Sequence, residues 1–235
     1  MKKLVLTVSF LFLFSAVAWA APLTDFSQGK ASIDLNWRPN SDLEHEYISG
    51  TADGASSNFD LGLTIGLGNR FAFQWQNQTS KTKTTGLLGT SGSTVVLNAT
   101  GTAKVTANQF NILYSLDKNC AVFAGYTQAK NELDGSGSFL GSAFSGTQGG
   151  KTVNGWQAGF TGSFPLGNNF VGYGTIGFGN KIENIEVGFA YQFSKNAELN
   201  LFYKSTKYKD LQYDGADWKY DMKVKGPGVG LTFKF

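Results

Sequence analysis

The stretch from position 59 to 67 alternates strictly between apolar and polar or small residues, and it reads Phe59-Asp60-Leu61-Gly62-Leu63-Thr64-Ile65-Gly66-Leu67. Successive side chains of a β-strand point to opposite faces, so a period of two predicts a strand with one apolar face. A turn signal, Gly68-Asn69, follows at once, and a new alternating segment begins at Phe71. These residues therefore predict an antiparallel hairpin with one apolar face.

The same period recurs along most of the chain. Alternating segments occupy positions 31–37, 59–67, 71–76, 110–116, 122–126, 156–164, 170–179, 185–193, 199–203 and 229–235. The register of 170–179 stays open, because either the pair Val171 and Tyr173 or the pair Ile176 and Phe178 fits the apolar face. The last strand changes register near Gly226-Pro227, which predicts a bulge. The pattern predicts an all-β antiparallel up-and-down barrel of ten strands, with eight strands as the alternative.

Composition narrows the class of protein further. The 235 residues include 30 Gly and 14% aromatic residues but only 16% charged ones, which argues against a helical bundle or a charged disordered chain. The single Cys and single His exclude an internal disulfide and a His-cluster metal site. The formal charge of +3 falls to +1 once Lys2 and Lys3 leave with the predicted leader, and a chain so near neutrality lacks the basic surface of a nucleic-acid-binding protein. We expect no cofactor, no metal and no nucleic-acid partner.

The first 20 residues have the form of a secretory signal peptide. Lys2 and Lys3 precede an apolar run at positions 4–17, and Ala18-Trp19-Ala20 forms a small-x-small cleavage site. We therefore expect residues 1–20 to be removed near Ala20 and residues 21–235 to form one barrel domain. No later apolar run reaches the ~18 residues of a membrane-spanning helix.

The connections and the two strand faces together predict a membrane barrel. Long connections (38–57, 79–101, 130–152) alternate with short ones (68–69, 117–120, 165–169), which places the long ones outside the cell. Gly-rich stretches at 135–138 and 145–150 predict flexible outer loops. The polar face carries mostly Gly, Ser, Thr, Asn and Gln, as expected for a lumen. Aromatic residues mark both ends of the apolar rows, as an aromatic girdle does: Trp37, Phe59, Trp156 and Tyr203 on the loop side, and Phe71, Phe164, Phe193 and Phe235 on the turn side.

The end of the chain carries a specific resemblance. Val229, Leu231, Phe233 and the terminal Phe235 alternate as in the sorting signal of Gram-negative outer-membrane proteins. The whole chain resembles the small outer-membrane β-barrel superfamily, which includes OmpA-, OmpX- and Opa-type barrels. The resemblance implies an integral outer-membrane protein in contact with lipid, with these four residues as an assembly signal that the outer-membrane assembly machinery reads.

Charged residues on polar positions are the candidate site. We expect lumen charges from Asp34, Asp60, Glu186 and Glu198, together with Lys30, Arg38, Arg70, Lys104 and Lys204. Their mixed signs favour a paired structural network over a selectivity ring of one sign. His45 is interpreted as a solvated residue of an acidic outer loop, and Cys120 as an inert thiol at a turn, so we expect no catalytic residue.

The sequence favours a non-enzymatic envelope protein that contacts a host or cell-surface ligand through its outer loops. A narrow passive pore is the alternative, because glycines on the predicted inner face leave space: Gly62, Gly66, Gly155, Gly159, Gly188, Gly228 and Gly230. A ten-stranded barrel is nevertheless nearer in size to the filled eight-stranded barrels than to open porins. An outer-membrane protease or a lipid A-modifying enzyme is the third hypothesis.

Overall fold

The computed structural model describes residue 23 and residues 25–45, 55–82, 85–91, 94–139 and 142–235; the predicted signal peptide lies outside them. These residues form thirteen strand segments: β1 Ala31–Arg38, β2 Asp42–His45, β3 Ala55–Gly68, β4 Phe71–Thr82, β5 Thr85–Ser91, β6 Thr94–Ser115, β7 Cys120–Phe139, β8 Ser142–Gly149, β9 Val153–Gly167, β10 Phe170–Gly179, β11 Ile182–Ser194, β12 Ala197–Leu211 and β13 Tyr220–Lys234. None of the described segments forms a helix long and apolar enough to cross a membrane.

The segments build one closed antiparallel sheet. Its order is β6-β4-β3-β1-β13-β12-β11-β10-β9-β7, and pairing of β6 with β7 closes it. β2, β5 and β8 continue β1, β4 and β9 after short interruptions, and they pair with β13, β6 and β7. The prediction of a ten-stranded up-and-down barrel is therefore confirmed.

The open register of β10 is settled by packing inside the barrel. Ile176 and Phe178 face outward and are exposed, whereas Val171 and Tyr173 are buried inside. The ring of Tyr173 lies across Gly188 of β11, where its Cζ atom is 2.6 Å from the position that a Cβ atom would occupy. Two inward-facing apolar residues in β10 made the alternation ambiguous, because the sequence does not show that a glycine opposite leaves room for a ring.

The strands change polarity along their length. In the C-terminal half of β13, Val229 and Leu231 face outward, but in its N-terminal half Met222 and Val224 point inward and are fully buried. The predicted register change near Gly226-Pro227 is wrong for β13, since its pairing with β12 is continuous there. The side chains keep alternating, and only the apolar face changes, from inside at Val224 to outside at Val229.

The irregularity lies instead in the neighbouring strand. Trp37 of β1 is opposite Val229, and Asp42 of β2 is opposite Lys225, so four residues of one chain segment face three of the other. This is the count of a β-bulge. It falls at residues 38–41, between β1 and β2.

Two of the predicted long loops are strands. β6 and β7 pair from Ser115↔Ala121 to Leu97↔Phe139, with β5 and β8 on their outer sides. We call β5, residues 94–103 of β6, residues 132–139 of β7, and β8 the outer extension. The Gly-rich stretches 135–138 and 145–150, predicted to be flexible loops, lie mostly within its strands. Glycine and serine pair there through backbone hydrogen bonds, which the composition of the segment does not reveal.

Candidate functional site in the barrel lumen

A buried ion network occupies the middle of the lumen. The carboxylate of Asp60 on β3 accepts hydrogen bonds from Arg38 Nη2 on β1 and from Lys204 Nζ on β12, each over 3.1 Å. Lys204 Nζ also lies 3.4 Å from the Glu186 carboxylate on β11. Opposite charges compensate one another in a place where an isolated charge would be costly. The expected lumen residues Asp60, Arg38, Lys204 and Glu186 thus meet in one network.

A second polar group lies on the β1, β12 and β13 side. Lys234 Nζ is 2.6 Å from the carboxylate of Glu198, which is completely buried. Asp34 Oδ1 accepts a 2.6 Å hydrogen bond from Thr232 Oγ1, and Thr232 Oγ1 accepts one of 2.8 Å from Asn200 Nδ2. Asp34 and Glu198 therefore face the interior as well.

Neutral amides complete the lining on the opposite wall. Gln157 Nε2 donates to Gln109 Oε1 over 2.9 Å and to Asn111 Oδ1 over 2.7 Å. Asn111 Nδ2 donates to Gln74 Oε1 over 3.1 Å. The sequence analysis treated such residues only as a polar face. The alternation of the strands predicts that these amides face inward. It does not predict which amides pair, because that depends on the register between strands.

Several other predicted site residues lie elsewhere. Arg70 is not a lumen charge. It is exposed and has a φ of 70°, because it lies in the turn between the end of β3 at Gly68 and the start of β4 at Phe71. Lys104 faces outward above the membrane band and pairs with Glu132 over 3.1 Å. Lys30 directly precedes β1, and its carbonyl accepts a hydrogen bond from Gly66 N. His45 ends β2, where its Cα atom is paired with that of Met222, so the predicted loop position is wrong.

The inward glycines leave little open space. A Cβ atom at Gly159 would lie 2.4 Å from the ring of Phe123, and one at Gly228 would lie 2.4 Å from the ring of Phe202. Both rings are buried inside the barrel. The space that these glycines free is therefore filled by aromatic side chains from neighbouring strands.

The N-terminal segment closes the turn-side end of the lumen. Leu23 and Phe26 are buried in an apolar cluster inside the barrel. Gly68 N donates a 2.9 Å hydrogen bond to the carbonyl of Phe26. The cluster, which we call the periplasmic cluster, consists of Leu23, Phe26, Ala72, Leu113, Ala121 and Phe123.

A larger apolar cluster closes the other end. This outer cap consists of Val105, Ala107, Ala129, Ile182, Tyr208, Leu211, Tyr213, Tyr220, Met222 and Val224. Tyr220 stacks on Tyr213 with ring centroids 5.4 Å apart, and its hydroxyl oxygen accepts a 2.7 Å hydrogen bond from Asn131 Nδ2. Burial raises the pKa of the Tyr220 phenol well above its ordinary value. Between the outer cap and the periplasmic cluster lies a cavity of about 70 Å³ with a polar lining.

An apolar belt surrounds the outside of the barrel. Every residue of the predicted girdle from Trp37 to Phe235 is exposed, on the loop side and on the turn side alike: Trp37, Phe59, Trp156, Tyr203, Phe71, Phe164, Phe193 and Phe235. Exposed apolar surface of this extent marks a site of contact with a membrane or another protein. Within the described residues, no group of three or more His, Cys, Asp or Glu is arranged to hold a metal ion.

Comparison with known proteins identifies the fold. No protein-family model and no curated protein matches the chain. Among solved structures, the outer-membrane protease OmpT from Escherichia coli is 12% identical with a TM-score of 0.55, over 88% of this chain and 97% of OmpT. Ail of Yersinia pestis, solved with a heparin analogue, is 14% identical over 88% of this chain and 99% of Ail, with a TM-score of 0.46.

The structural similarity to OmpT and the closed antiparallel sheet identify the same fold. The exposed apolar belt is consistent with a location in the outer membrane. The expected resemblance is confirmed at this level. The chain has the fold of the small Gram-negative outer-membrane β-barrels.

Proposed function

We propose that the protein is a non-enzymatic, closed outer-membrane barrel that holds a β-sheet extension above the cell surface for contact with other surfaces or molecules. The observation that carries this proposal is the combination of a lumen filled at both ends with a sheet that continues far beyond the membrane band. The barrel then serves as an anchor, and the outer extension serves as the contact surface.

The packing of the described side chains inside the lumen leaves no open path for a transported solute. The periplasmic cluster and the outer cap fill the two ends, and the cavity between them is about 70 Å³, room for only a few water molecules. The buried ion pair Arg38–Asp60 joins the neighbouring strands β1 and β3, and Lys204–Asp60 reaches inside the barrel from β12 to β3, three strands away. A solute would have to displace both apolar clusters to pass.

The outer extension has the properties of a contact surface. From Thr106, β6 continues to Thr94, about 40 Å along the strand at ~3.3 Å per residue. Residues 142–148 of β8 are exposed on both faces of the sheet and carry no charge. Phe144, 45% exposed, is a large apolar side chain among small polar ones. Loops and extensions held by a rigid barrel are common sites of binding.

Single-channel recording in a planar bilayer tests closure. We expect no current steps from the refolded protein. Regular steps would instead support the narrow pore, which the polar lining and the cavity favour as the second candidate.

A shortened protein tests the contact role. The register pairs Thr85 with Gly101 and Leu133 with Gln148, so an Asn-Gly turn can replace 86–100 in one hairpin and 134–147 in the other. We expect this variant to remain a heat-modifiable barrel. Cells that express it should lose autoaggregation and adhesion to epithelial monolayers. Phe144→Ser is the point variant, with a smaller loss. Unchanged settling and adhesion at equal surface levels would reject the contact role.

We also propose that signal peptidase cleaves after Ala20 and that Val229, Leu231, Phe233 and Phe235 act as the assembly signal. Support for the first comes from Leu23, which is already buried inside the barrel three residues after Ala20. Support for the second comes from the pairing of Phe235 with Ala31, through two backbone hydrogen bonds of 2.9 and 3.2 Å. The last residue thus takes part in the joint between the first and last strands.

A further inference from the structure

β8 is an edge strand of the outer extension. Residues 132–139 of β7 pair with it on one side in an unbroken register, and no described strand pairs with its other side. Backbone groups on a free edge are a template for another strand, so natural edge strands usually carry charges, proline or a bulge that prevents pairing. The sequence of β8, Ser-Ala-Phe-Ser-Gly-Thr-Gln-Gly, has no charge and no proline, and its register has no bulge. The edge is therefore open to a partner strand.

The direction of the backbone groups along β8 is fixed at its barrel-side end. The carbonyl of Gly149 accepts a 3.0 Å hydrogen bond from Asp214 N, which lies outside β7, so this carbonyl points away from β7. In an antiparallel strand the N–H and C=O of one residue point to the same side, and the side alternates from residue to residue. Ala143, Ser145 and Thr147 therefore direct both groups to the free edge, and the residues between them direct theirs toward β7.

This alternation lets the edge pair with a second copy of itself. In an antiparallel pair centred on Ser145, each Ser145 faces the other, and Ala143 faces Thr147 of the second copy. All three residues then exchange both backbone hydrogen bonds across the joint. A centre at a neighbouring residue would place edge groups opposite groups that point toward β7. A centre at Thr147 would need the Gly149 carbonyl, which already accepts a hydrogen bond from Asp214.

The side chains fit the same register. Phe144 faces Gly146 of the second copy in a pair that is not hydrogen-bonded, where opposite side chains lie closest. Phe144 is 45% exposed, and no atom lies within 4 Å of the position that a Cβ atom of Gly146 would occupy. Each ring therefore has room to cover the glycine opposite it, which removes apolar surface from water. Because β8 carries no charge, no like charges meet when two copies pair.

We propose that β8 pairs with β8 of a second copy of this chain in the outer membrane of a facing cell. The strand runs from Ser142 at the far end of the outer extension to Gly149 beside the barrel, so an antiparallel partner has its barrel on the opposite side of the joint. Two barrels in one membrane would lie on the same side. One pair of short strands binds weakly, but many copies on two facing cells add avidity. This inference rests on the contact role proposed above and names one partner for it.

Disulfide trapping in living cells tests the register. In a Cys120→Ser background, Ser145→Cys places two thiols on Cα atoms about 5.5 Å apart, within reach of a disulfide, so mild oxidation should give a covalent dimer. Ala143→Cys is the matched control, because its two copies would lie four residues, ~13 Å, apart and should give no dimer. Cells with Ala143→Cys mixed with cells with Thr147→Cys should give a dimer that neither population gives alone.

A charge at the edge tests the effect on cells. Ser145→Lys places two lysines opposite each other and should abolish autoaggregation. Ser136→Lys, on the residue of β7 that pairs with Ser145, puts the same charge one strand away from the edge and should leave autoaggregation unchanged.

Three outcomes overturn the proposal: no more dimer from Ser145→Cys than from Ala143→Cys, no dimer from the mixed cells, or unchanged autoaggregation of Ser145→Lys at an equal surface level. The general contact role is measured separately, by adhesion of cells with the shortened protein to epithelial monolayers. Loss of that adhesion without any Ser145→Cys dimer would reject self-pairing and leave the contact role standing.

Discussion

Phe189→Arg is the most direct test of the outer belt. Phe189 is 59% exposed and faces outward on β11, four residues from Ile185 and four from Phe193. At ~3.3 Å per residue and a tilt of ~40°, each interval is about 10 Å of height, so Phe189 lies near the middle of an apolar band of about 25 Å. An arginine at mid-bilayer depth of a barrel costs about 2–4 kcal/mol. We expect the free energy of unfolding to fall by that amount.

The matched control is Ser205→Arg on the adjacent strand β12. Ser205 faces outward two residues beyond the girdle residue Tyr203, about 5 Å farther from the membrane centre. Its replacement should cost only about 0–1 kcal/mol, as found near the interface. The assay is denaturant unfolding of both variants refolded into phospholipid vesicles. Equal losses in the two variants, or no loss in Phe189→Arg, would show that the exposed face of β11 does not contact hydrocarbon.

Other perturbations probe the interior and the chain end. Met222→Lys places a charge in the outer cap and should cost about 3 kcal/mol or more by urea unfolding; a smaller loss would mean that the cap is hydrated. Burial raises the folded-state pKa of Tyr220 above the unfolded value of about 10. The stability that the buried neutral phenol gives the folded protein is therefore complete below pH ~10 and is lost as the pH rises above it. Tyr220→Phe should therefore flatten the fall in the urea midpoint between pH 9 and 11, and an unchanged slope would contradict the burial argument. Gly159→Ala should cost about 1–3 kcal/mol, because its Cβ would lie 2.2 Å from a backbone oxygen and 2.4 Å from Phe123; wild-type thermal stability would refute the close packing. Deletion of Phe235 should reduce heat-modifiable protein in the outer-membrane fraction far more than it lowers the denaturant midpoint of refolded protein, and normal assembly would show that the residue is no sorting signal.

The sequence predicts most of the membrane band, because there the apolar face is always the outer one. From Phe59 to Leu67 every second residue faces outward in the structure, as the alternation implies. The same rule fails above the membrane. At Val224 and Lys225 the alternation continues, but water now surrounds the strand, so the apolar residue turns inward and the charged one outward.

The lumen network is only partly predictable. Inward positions of Asp60 and Lys204 follow from strand period, but their contact joins residues 144 positions apart and depends on barrel closure and tilt. Arg70 fits the inward row of its strand by spacing, yet the hairpin turn takes it out of the sheet. A period of two does not show where a strand ends. The direction in which a side chain points is therefore least predictable for residues at the ends of strands.

The change of polarity along the strands also fixes how the protein meets bilayers of different thickness. On β13, Val229 and Lys225 are both outward-facing and only about 10 Å apart in height, and the register ties every neighbouring strand to this boundary. A thicker bilayer would cover lysines, and a thinner one would uncover the aromatic residues. A closed barrel cannot relieve such mismatch by bending one strand at a time. The lipid must therefore stretch or compress around the protein, at a fraction of a kcal/mol for each ångström, which favours patches of membrane with matching acyl-chain length.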